Sequence, residues 1–408
     1  MRAILMVFVI LILISCKEEK KSSVSMKDDV VALADDNLLG RETGTEGELM
    51  AADYIANRFE AIGTLPKGTE AYFQDYRFKP STNPHEQAKV SDSLNDGTIM
   101  GRNVVAYIDN GGAQTVVIGA HYDHLGMGGI GSLYREGEAI HNGADDNASG
   151  VAVMLHLAKR LKEVDNANNY LFIAFSGEEM GLLGSAYWVK NPTVDINSVS
   201  YMINMDMVGR LNEENTVAVH GVGTSPVFKQ TLFANNTMGL NIAEHESGVG
   251  PSDHTSFYVA EIPVLHFFTG QHEDYHKPSD DSEKLNYEGM KTVSNYIYSI
   301  VQDLDDNGEL AFRKTKDESE EVPAFKVALG VVPDYLFTGE GMRIDGVSED
   351  KPAQKAGLVK GDIVKKLDTT KVTDMMSYMR ALSTYENGQK CMVTVDREGE
   401  LLEVEVEF

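Results

Sequence analysis

Residues 115–120, Thr-Val-Val-Ile-Gly-Ala, decide the fold class of this chain. The run is continuously apolar, which is typical of a strand buried on both faces of a sheet. Similar apolar runs follow along the chain, at residues 170–175, 199–205 and 262–268. Helical patterns alternate with them, at residues 148–161, 181–189 and 287–304. This alternation predicts an α/β fold, a three-layer αβα sandwich with a mostly parallel mixed sheet.

The part of the chain before this pattern adds helices and edge strands. Residues 28–62 read as helical on both sides of a Gly-Arg-Glu-Thr-Gly-Thr-Glu-Gly loop, and Gly63 ends the second helix. Aromatic and β-branched residues at 72–78 and 103–107 predict two strands separated by a polar loop.

Composition limits the possible partners. The chain has 408 residues, enough for one large domain and a small module. With 42% hydrophobic and 24% charged residues it is typical of a globular protein. The formal net charge of -27 argues against nucleic acid as a partner. An acidic surface either keeps the protein soluble or attracts cationic substrates, such as peptides with a free amine.

The N-terminus predicts export. Met1 and Arg2 precede an apolar run that is too short to span a bilayer, and Leu13-Ile14-Ser15-Cys16 resembles the lipobox of bacterial lipoproteins. Lipidation at Cys16 would anchor the chain to a bacterial membrane, on its periplasmic or cell-surface face. An ordinary signal peptide or a short membrane anchor is the alternative. The only other cysteine is Cys391, so acylation of Cys16 excludes an intrachain disulfide.

The pattern changes again near the C-terminus. Residues 303–322 are highly charged and read as a linker with a frayed helix, and a β-rich pattern follows. The predicted organisation is a lipoprotein signal peptide, a tether, a catalytic domain, a linker and a small β-rich domain. Their predicted bounds are 1–16, 17–27, 28–305, 306–322 and 323–408.

Side chains that bind metals follow the predicted strands. They are His121, Asp146, Glu179, Asp206 and His276, with Glu178 beside Glu179. Ligands of open α/β sheets bind at the carboxyl ends of the strands, so these side chains are expected to meet. Two imidazoles and three carboxylates exceed a four-coordinate zinc site, but they suit two zinc ions that share a carboxylate. Glu178 is then free to act as a base.

Several neighbours have competing interpretations. Asp123 is placed to hold the second ring nitrogen of His121, and His124 is a rival ligand. The run Asp145-Asp146-Asn147 could cap the following helix, but three such side chains exceed what one cap needs. Adjacent acids at Glu178 and Glu179 would be costly in a buried site without a cation.

Taken in order, HxD, ADDNxSG, GEE, MD and YHKPSDD resemble the di-zinc aminopeptidase family. Its clan also includes glutamate carboxypeptidase II, glutaminyl cyclase and the non-enzymatic transferrin receptor. The GRETGTEGE and AADYI segments resemble the start of that family, so the resemblance covers about residues 30–305. It implies a phosphorylase/hydrolase-like zinc peptidase fold.

The resemblance also implies a role for each residue. Asp146 would bridge two zinc ions, with Asp145 as the alternative. His121 and Asp206 would complete one ion, and Glu179 and His276 the other. Glu178 would be the general base and Tyr275 would polarise the scissile carbonyl. Asp253 and His254 would support the pocket, and the bond between Asp146 and Asn147 would be cis.

A second resemblance covers the C-terminal domain. The segments Ala328-Leu329-Gly330-Val331 and Ala356-Gly357-Leu358 to Gly361-Asp362-Ile363 resemble a bacterial PDZ domain. This implies that backbone amides near Leu329, Gly330 and Val331 receive a peptide C-terminus, with the peptide added as a strand. The alternative is a module that only packs against the large domain.

The leading hypothesis is a lipid-anchored di-zinc aminopeptidase that acts on peptides with a free N-terminus. Glutaminyl cyclisation is the first alternative, but it uses one zinc, and both ligand sets are present. A receptor on an inactive scaffold predicts lost ligands, and none is lost. Dipeptidase or carboxypeptidase action stays open, because pocket loops determine specificity.

Overall fold

The structure is a computed structural model. It describes residues 24–80, 88–91, 97–129, 131–316, 326–334, 336–337, 339–348 and 350–408. The predicted signal peptide, Cys16 and most of the predicted tether lie outside the described residues. Within them, the strands form two separate sheets, one of ten strands and one of six. The ten-stranded sheet belongs to the large domain, and the six-stranded sheet to the small domain.

The large domain contains strands β1–β10. Their bounds are β1 Leu65–Pro66, β2 Phe73–Lys79, β3 Lys89–Val90, β4 Ile99–Ile108, β5 Thr115–His121, β6 Asn169–Phe175, β7 Val199–Met205, β8 Thr216–His220, β9 Asn241–His245 and β10 Val264–Phe268. The sheet order is β3-β2-β4-β6-β5-β7-β10-β8-β9, with β1 paired to β4. The four central strands β6, β5, β7 and β10 run parallel to one another. On either side of them, β4 pairs antiparallel with β6 and with β2, and β8 pairs antiparallel with β10.

Helices α1–α7 pack on this sheet. Their bounds are α1 Met26–Leu33, α2 Glu46–Ile62, α3 Gly150–Lys162, α4 Leu183–Lys190, α5 Phe228–Asn235, α6 His254–Val259 and α7 Tyr287–Asp303. The predicted mixed α/β fold is confirmed, because helices cover both faces of the sheet. In β5, for example, Val116 and Ile118 belong to the core under α2 and α3, whereas Val117 belongs to the core on the opposite face with Trp188.

Two local signals explain the ends of α2. Thr45 accepts the backbone N–H of Glu48 with its side chain, as helix N-caps do. At the other end Gly63 has φ 87, the left-handed conformation that favours glycine after a helix. This helix is the one predicted before Gly63.

Strands β8 and β9 and helices α5 and α6 were not predicted. Each strand has only five residues and ends in a histidine, so neither shows a long apolar run. They become strands because β8 pairs with β10 and β9 pairs with β8, which extends the sheet beyond the parallel centre.

The first part of the predicted linker lies against the large domain. Ser200 Oγ donates to the carbonyl of Gly308 and accepts the N–H of Leu310, at 2.8 and 3.0 Å. Further along, Thr315 N–H donates to the hydroxyl of Tyr258 at 2.9 Å. Residues 306–316 therefore follow a fixed path without a helix, and residues 317–325 lie outside the described part.

The small domain contains β11–β16 and two helices. Their bounds are β11 Val331–Pro333, β12 Met342–Val347, α8 Pro352–Lys355, β13 Ile363–Leu367, β14 Thr370–Lys371, α9 Met375–Leu382, β15 Lys390–Arg397 and β16 Glu400–Glu407. The sheet order is β11-β12-β13-β15-β16, with β14 paired to β13, and β11 lies at one edge. Its own core includes Leu329, Ile344, Val364 and Val393.

One contact joins the two domains near the loop after β10. The side chain of Leu336, which follows β11, lies over Gly270, and a Cβ atom at Gly270 would come within 2.8 Å of it. Gly270 has φ 104, so the loop there uses a backbone conformation that favours glycine. Within the described residues, no helix is both long enough and apolar enough to cross a membrane.

Candidate metal centre

The candidate residues meet at one edge of the central sheet. His121 is the last residue of β5, Glu178 and Glu179 follow β6, and Asp206 follows β7. Because β5 runs parallel to β6 and β7, the carboxyl ends of these strands lie side by side. His276 comes from the loop after β10, which runs parallel to β7.

Asp146 lies between the two histidines. Its Oδ1 is 3.3 Å from His121 Nε2, and its Oδ2 is 3.3 Å from His276 Nε2. Two ligands that each lie about 2.0–2.1 Å from a tetrahedral zinc are separated by roughly 3.4 Å. Each oxygen of Asp146 and the imidazole that it faces therefore have the separation of two ligands on one ion.

A second carboxylate completes each half of the centre. Asp206 Oδ1 lies 3.2 Å from His121 Nε2, and Glu179 Oε2 lies 3.3 Å from His276 Nε2. The five predicted metal ligands thus form two groups of three that share Asp146. The two groups correspond to the two predicted zinc sites.

Hydrogen bonds fix the orientation of both imidazoles. Nδ1 of His121 is 3.2 Å from the carbonyl of Asp123, and Nδ1 of His276 is 2.8 Å from the carbonyl of Gly131. A carbonyl only accepts, so Nδ1 carries a hydrogen in each ring, and Nε2 offers a lone pair only when the ring is neutral. Nε2 of each ring faces the carboxylates, and a hydrogen bond that holds the opposite ring nitrogen is typical of metal-binding histidines.

The carboxylates of the centre favour positively charged partners. Burial lowers the pKa of His276, but Glu179 and Asp146 outweigh this effect and raise the pKa to about 11. Burial likewise opposes the shift of His121, whose pKa Asp206 and Glu178 hold well above its ordinary value. Without metal, both imidazoles therefore carry protons that a divalent ion would displace. This donor set fits two zinc ions, which prefer nitrogen and carboxylate ligands.

Asp145, the alternative bridging residue, points elsewhere. Its Oδ1 accepts the backbone N–H of Gly209 at 2.6 Å, and its Oδ2 lies 3.2 Å from His272 Nε2. Asp146 is therefore the member of the pair that faces both histidines. The peptide bond between Asp146 and Asn147 is cis, as the resemblance implies.

His124, the rival ligand, contacts one candidate ligand closely. Its Nδ1 lies 2.9 Å from Glu179 Oε1 but 3.9 Å from Asp146 Oδ2. His276 approaches both carboxylates to 3.3 Å, so it is better placed to share an ion with them. His124, which is fully buried, instead holds the second oxygen of Glu179.

Asp123 positions the loop that carries the two glutamates. Its carboxylate accepts the backbone N–H groups of Glu178 and Glu179, at 3.2 and 3.4 Å, and the hydroxyl of Thr43 at 3.1 Å. Its Oδ1 lies 3.7 Å from His121 Nδ1, farther than the main-chain carbonyl that this nitrogen meets. Asp123 thus acts mainly on the loop after β6.

Arg41 holds the backbone around the metal centre, and it was not among the residues predicted from the sequence. Its guanidinium is buried and donates to the carbonyls of Leu33, Tyr122, Asn142 and Gly143. Tyr122 follows His121 directly, and Asn142 and Gly143 lie four and three residues before Asp146, so Arg41 holds the segments that carry these two ligands. Arg41 lies in the Gly-Arg-Glu-Thr-Gly segment, so that motif was the available signal.

Glu178 lies beside the first ligand group. One of its carboxylate oxygens falls within 4.8 Å of the ligand atoms of His121 and Asp206. Burial raises its pKa well above the ordinary value, and the carboxylates of Asp206 and Glu179 add to the effect. A carboxylate in such a place readily takes up a proton.

A cleft of about 440 Å³ opens beside the centre. Glu178 and Tyr275 line it, and the ring of Tyr275 stacks on His276 with centroids 3.8 Å apart.

Asp253 and His254, the two residues expected to support the pocket, are fully buried. His254 stacks on His266, another lining residue, at 4.4 Å. Burial raises the pKa of Asp253 to about 7.

In the small domain, the predicted peptide-binding residues surround the start of β11. The carbonyl of Leu329 accepts the N–H of Ala353, and that of Gly330 accepts the N–H of Ser348. Gly330 has φ 79, and Val331 begins the edge strand β11. This edge is where an added strand would pair.

Comparison with known sequences identifies both domains. The model of Peptidase family M28 matches residues 103–301, and the PDZ domain model matches residues 310–408. Aminopeptidase YwaD of Bacillus subtilis is 30% identical over 196 residues, which are 46% of this chain and 40% of the relative. Probable lipoprotein aminopeptidase LpqL of Mycobacterium tuberculosis is 29% identical over 185 residues, 41% of this chain and 34% of the relative. The chain thus spans less than half the length of these curated relatives.

Comparison with solved structures gives the same fold. Glutaminyl cyclase of Porphyromonas gingivalis matches with a TM-score of 0.54 and 19% identity, covering 68% of this chain and 97% of the other. BSAP, a zinc aminopeptidase from Bacillus subtilis, matches with a TM-score of 0.53 and 17% identity, covering 71% and 98%. The sequence matches, the sheet topology and the paired ligand groups agree: this chain joins a domain of Peptidase family M28 to a C-terminal PDZ domain.

Proposed function

We propose that the large domain is a two-zinc aminopeptidase that removes N-terminal residues from peptides. The observation that carries the proposal is the position of Asp146, whose two oxygens each face one histidine at 3.3 Å. A shared carboxylate of this kind suits a pair of ions better than a single one. The retention of both ligand groups favours peptide hydrolysis over cyclisation by one zinc.

His121, Asp146 and Asp206 would hold one ion, and Asp146, Glu179 and His276 the other. Two zinc ions bound there would supply a water of lowered pKa and polarise the substrate carbonyl. Glu178 takes the proton from the attacking water and delivers it to the leaving amine, because its half-buried carboxylate lies next to the first ligand group. Tyr275, which lines the cleft, donates its hydroxyl hydrogen to the substrate carbonyl oxygen.

The size of the cleft supports an exopeptidase. A volume of about 440 Å³ accommodates one or two residues rather than a long extended chain. The substrate amine would then lie near the acidic centre, where carboxylates attract a cation. Peptides with a free N-terminus are therefore the substrates that we infer.

The test combines metal analysis with substrate blocking. The purified protein should hold two zinc ions and cleave an unblocked peptide, but not its N-acetylated form. Glu178→Gln should lower kcat by about 10²–10⁴-fold while both metals stay bound. Glu273→Gln, a change at an exposed glutamate three residues before His276, is the matched control and should leave kcat unchanged. One bound metal together with cyclisation of N-terminal glutamine would instead assign the domain to the glutaminyl cyclase reaction.

We also infer that the chain is exported and anchored through lipid on Cys16, on the strength of the lipobox-like Leu13-Ile14-Ser15-Cys16. The PDZ domain would bind a peptide C-terminus at Leu329, Gly330 and Val331. Mass spectrometry of the mature N-terminus tests the first inference. To test the second inference, binding of two peptides to the PDZ domain is compared. A peptide with a free C-terminal carboxylate should bind, and the same peptide with a C-terminal amide should not.

A further inference from the structure

Three histidines form a row across the outer strands of the large sheet. His266 of β10 is paired with His220 of β8, and His220 is paired with His245 of β9. The rings of His220 and His245 stack with centroids 4.2 Å apart and planes at 11°, and those of His220 and His266 lie 5.4 Å apart. The row follows directly from strand register, because each histidine occupies the position opposite the next.

A fourth imidazole packs on this row from α6. His254 stacks on His266 at 4.4 Å with an interplanar angle of 4°. His254 is fully buried, and neither of its ring nitrogens has a hydrogen-bond partner among the described residues. Gly250 lies over it, since a Cβ atom there would come within 2.7 Å of His254 Nε2. Gly250 also lines the cleft, so His254 packs directly behind two lining residues, Gly250 and His266.

The four rings do not form a metal site. His220 stacks face to face on His245 and His254 on His266, whereas His220 and His266 are tilted by 45°. Within the described part of the chain, the groups of three or more ligand atoms that converge within 4.8 Å are His121-Glu178-Asp206 and His124-Asp146-Glu179, both at the metal centre. We therefore regard the histidine row as a part of the cleft and not as a metal site.

Two members of the row line the cleft beside the metal centre. His220 and His266 share this surface with Met207, Pro251, Phe268 and Gln271, and none of the described lining residues is a lysine or an arginine. Burial lowers the pKa of both histidines well below the ordinary value, and the neighbouring imidazoles lower it further. This part of the cleft is therefore uncharged and rich in hydrogen-bonding groups.

Asn204 fixes the hydrogen on His266. Its Nδ2 donates to Ser252 Oγ at 2.8 Å and lies 3.2 Å from His266 Nδ1. An amide nitrogen only donates, so Nδ1 of His266 accepts and Nε2 carries the hydrogen. His266 therefore offers one N–H donor, at Nε2, to a ligand.

We propose that His220 and His266 determine substrate specificity, selecting N-terminal residues whose side chain is uncharged and carries a hydrogen-bonding group, with tyrosine and glutamine as the prototypes. This inference rests on the proposed aminopeptidase function. A phenol or amide gives the imidazoles a partner, whereas an alkyl or phenyl side chain leaves a buried donor without one. A carboxylate side chain would be buried without a cationic partner in the cleft, which is costly.

Two matched pairs of substrates, each differing in one functional group, test the proposal. The ratio of kcat/KM should favour the tyrosyl over the phenylalanyl amide, and the glutaminyl over the glutamyl amide, by about 10-fold or more. In His266→Phe and in His220→Phe, a ring without hydrogen-bonding groups replaces the imidazole, and the Tyr/Phe ratio should fall toward 1. His156→Phe, on α3 away from the cleft, should keep the wild-type ratio.

Each outcome of these measurements either supports or overturns the proposed specificity. A wild-type Tyr/Phe ratio near 1, a preference for the glutamyl amide, or a ratio unchanged in both cleft variants overturns the proposal. The wild-type ratios alone suffice if the variants do not fold. If the zinc-loaded protein cleaves none of the four amides, the proposed function fails, and calorimetry with tyrosinamide and phenylalaninamide then decides the specificity separately. Tighter binding of tyrosinamide supports it, and equal binding overturns it.

Discussion

The carboxylate of Asp280 accepts a hydrogen bond from the backbone N–H of Asp146, at 3.1 Å. The same oxygen accepts the N–H of Asp145 at 2.9 Å, and Asp280 is fully buried. The two partners are 134 residues apart in the chain. Asp280 therefore fixes the backbone of the residue that faces both histidines, and it does so from the Tyr-His-Lys-Pro-Ser-Asp-Asp segment that also supplies His276.

Replacing Asp280 should weaken metal binding without removing a ligand. In Asp280→Ala the backbone around Asp146 loses its acceptor, so the affinity for zinc should fall by about 10–100-fold. Asp280→Asn keeps an acceptor oxygen and should lose less. Competition with a zinc chelator measures the affinities, and Glu283→Ala, at an exposed glutamate, is the control. Wild-type affinity in Asp280→Ala would show that this hydrogen bond does not hold the site.

Removing the buried guanidinium of Arg41 should destabilise the large domain. Arg41→Met leaves several buried carbonyls without donors, each of which costs about 1–3 kcal/mol. We expect the free energy of unfolding to fall by at least about 3 kcal/mol, measured by urea denaturation. Arg135→Met, at an exposed arginine, should change it by less than about 0.5 kcal/mol. Equal stabilities for the two variants would contradict the role assigned to Arg41.

Asp274 should make the loop before His276 sensitive to acid. Burial raises its pKa, but bonds to Lys284, Ser279 and Arg210 outweigh this and lower it from 3.8 to about 2. A carboxylate whose folded-state pKa is lowered stabilises the fold above its unfolded value, and this contribution is lost as the pH falls through the folded value. At about 1.4 kcal/mol per unit the shift corresponds to at most about 2.5 kcal/mol, and screening by solvent reduces this contribution to about 2 kcal/mol.

The measurement is the difference in unfolding free energy between the wild type and Asp274→Asn. This difference should be about 2 kcal/mol at pH 6 and should shrink as the pH falls from 4 to 2. Comparing the two proteins at each pH cancels the titration of the other carboxylates. A difference that does not depend on pH would mean that the ion pair with Lys284, at 2.6 Å, contributes nothing.

Because Leu336 lies over Gly270, substitutions at these two residues should have non-additive effects on the free energy of unfolding. Gly270→Ala places a methyl group within 2.8 Å of Leu336 at a position with φ 104, so it should cost more than about 1 kcal/mol. In a Leu336→Ala background the steric part of this cost should disappear and only the backbone part should remain. A double-mutant cycle should therefore give a coupling energy of about 0.5–3 kcal/mol. Strictly additive costs would show that the two domains do not touch here.

The sequence predicted the centre of the sheet well and its edge poorly. Strand β7 has the predicted bounds, and β5 and β6 differ from prediction by one residue each, because strands buried on both faces are continuously apolar. Strands β8 and β9 carry no such signal, since their ends are polar and their pairing depends on β10. Two of the three histidines of the row, His220 and His245, lie on these strands, so the row was missed for the same reason.

Local patterns in the chain predicted which residues form the core and which chemical groups follow each central strand. Apolar periodicity and residue type are local properties, so His121, Asp146, Glu179, Asp206 and His276 could be named from the chain alone. The folded structure was needed to establish which oxygen faces which nitrogen, why Asp146 rather than Asp145 faces the centre, and which buried groups support it. Those relations depend on contacts between segments as far apart as Asp146 and Asp280, and no local pattern encodes such a distance.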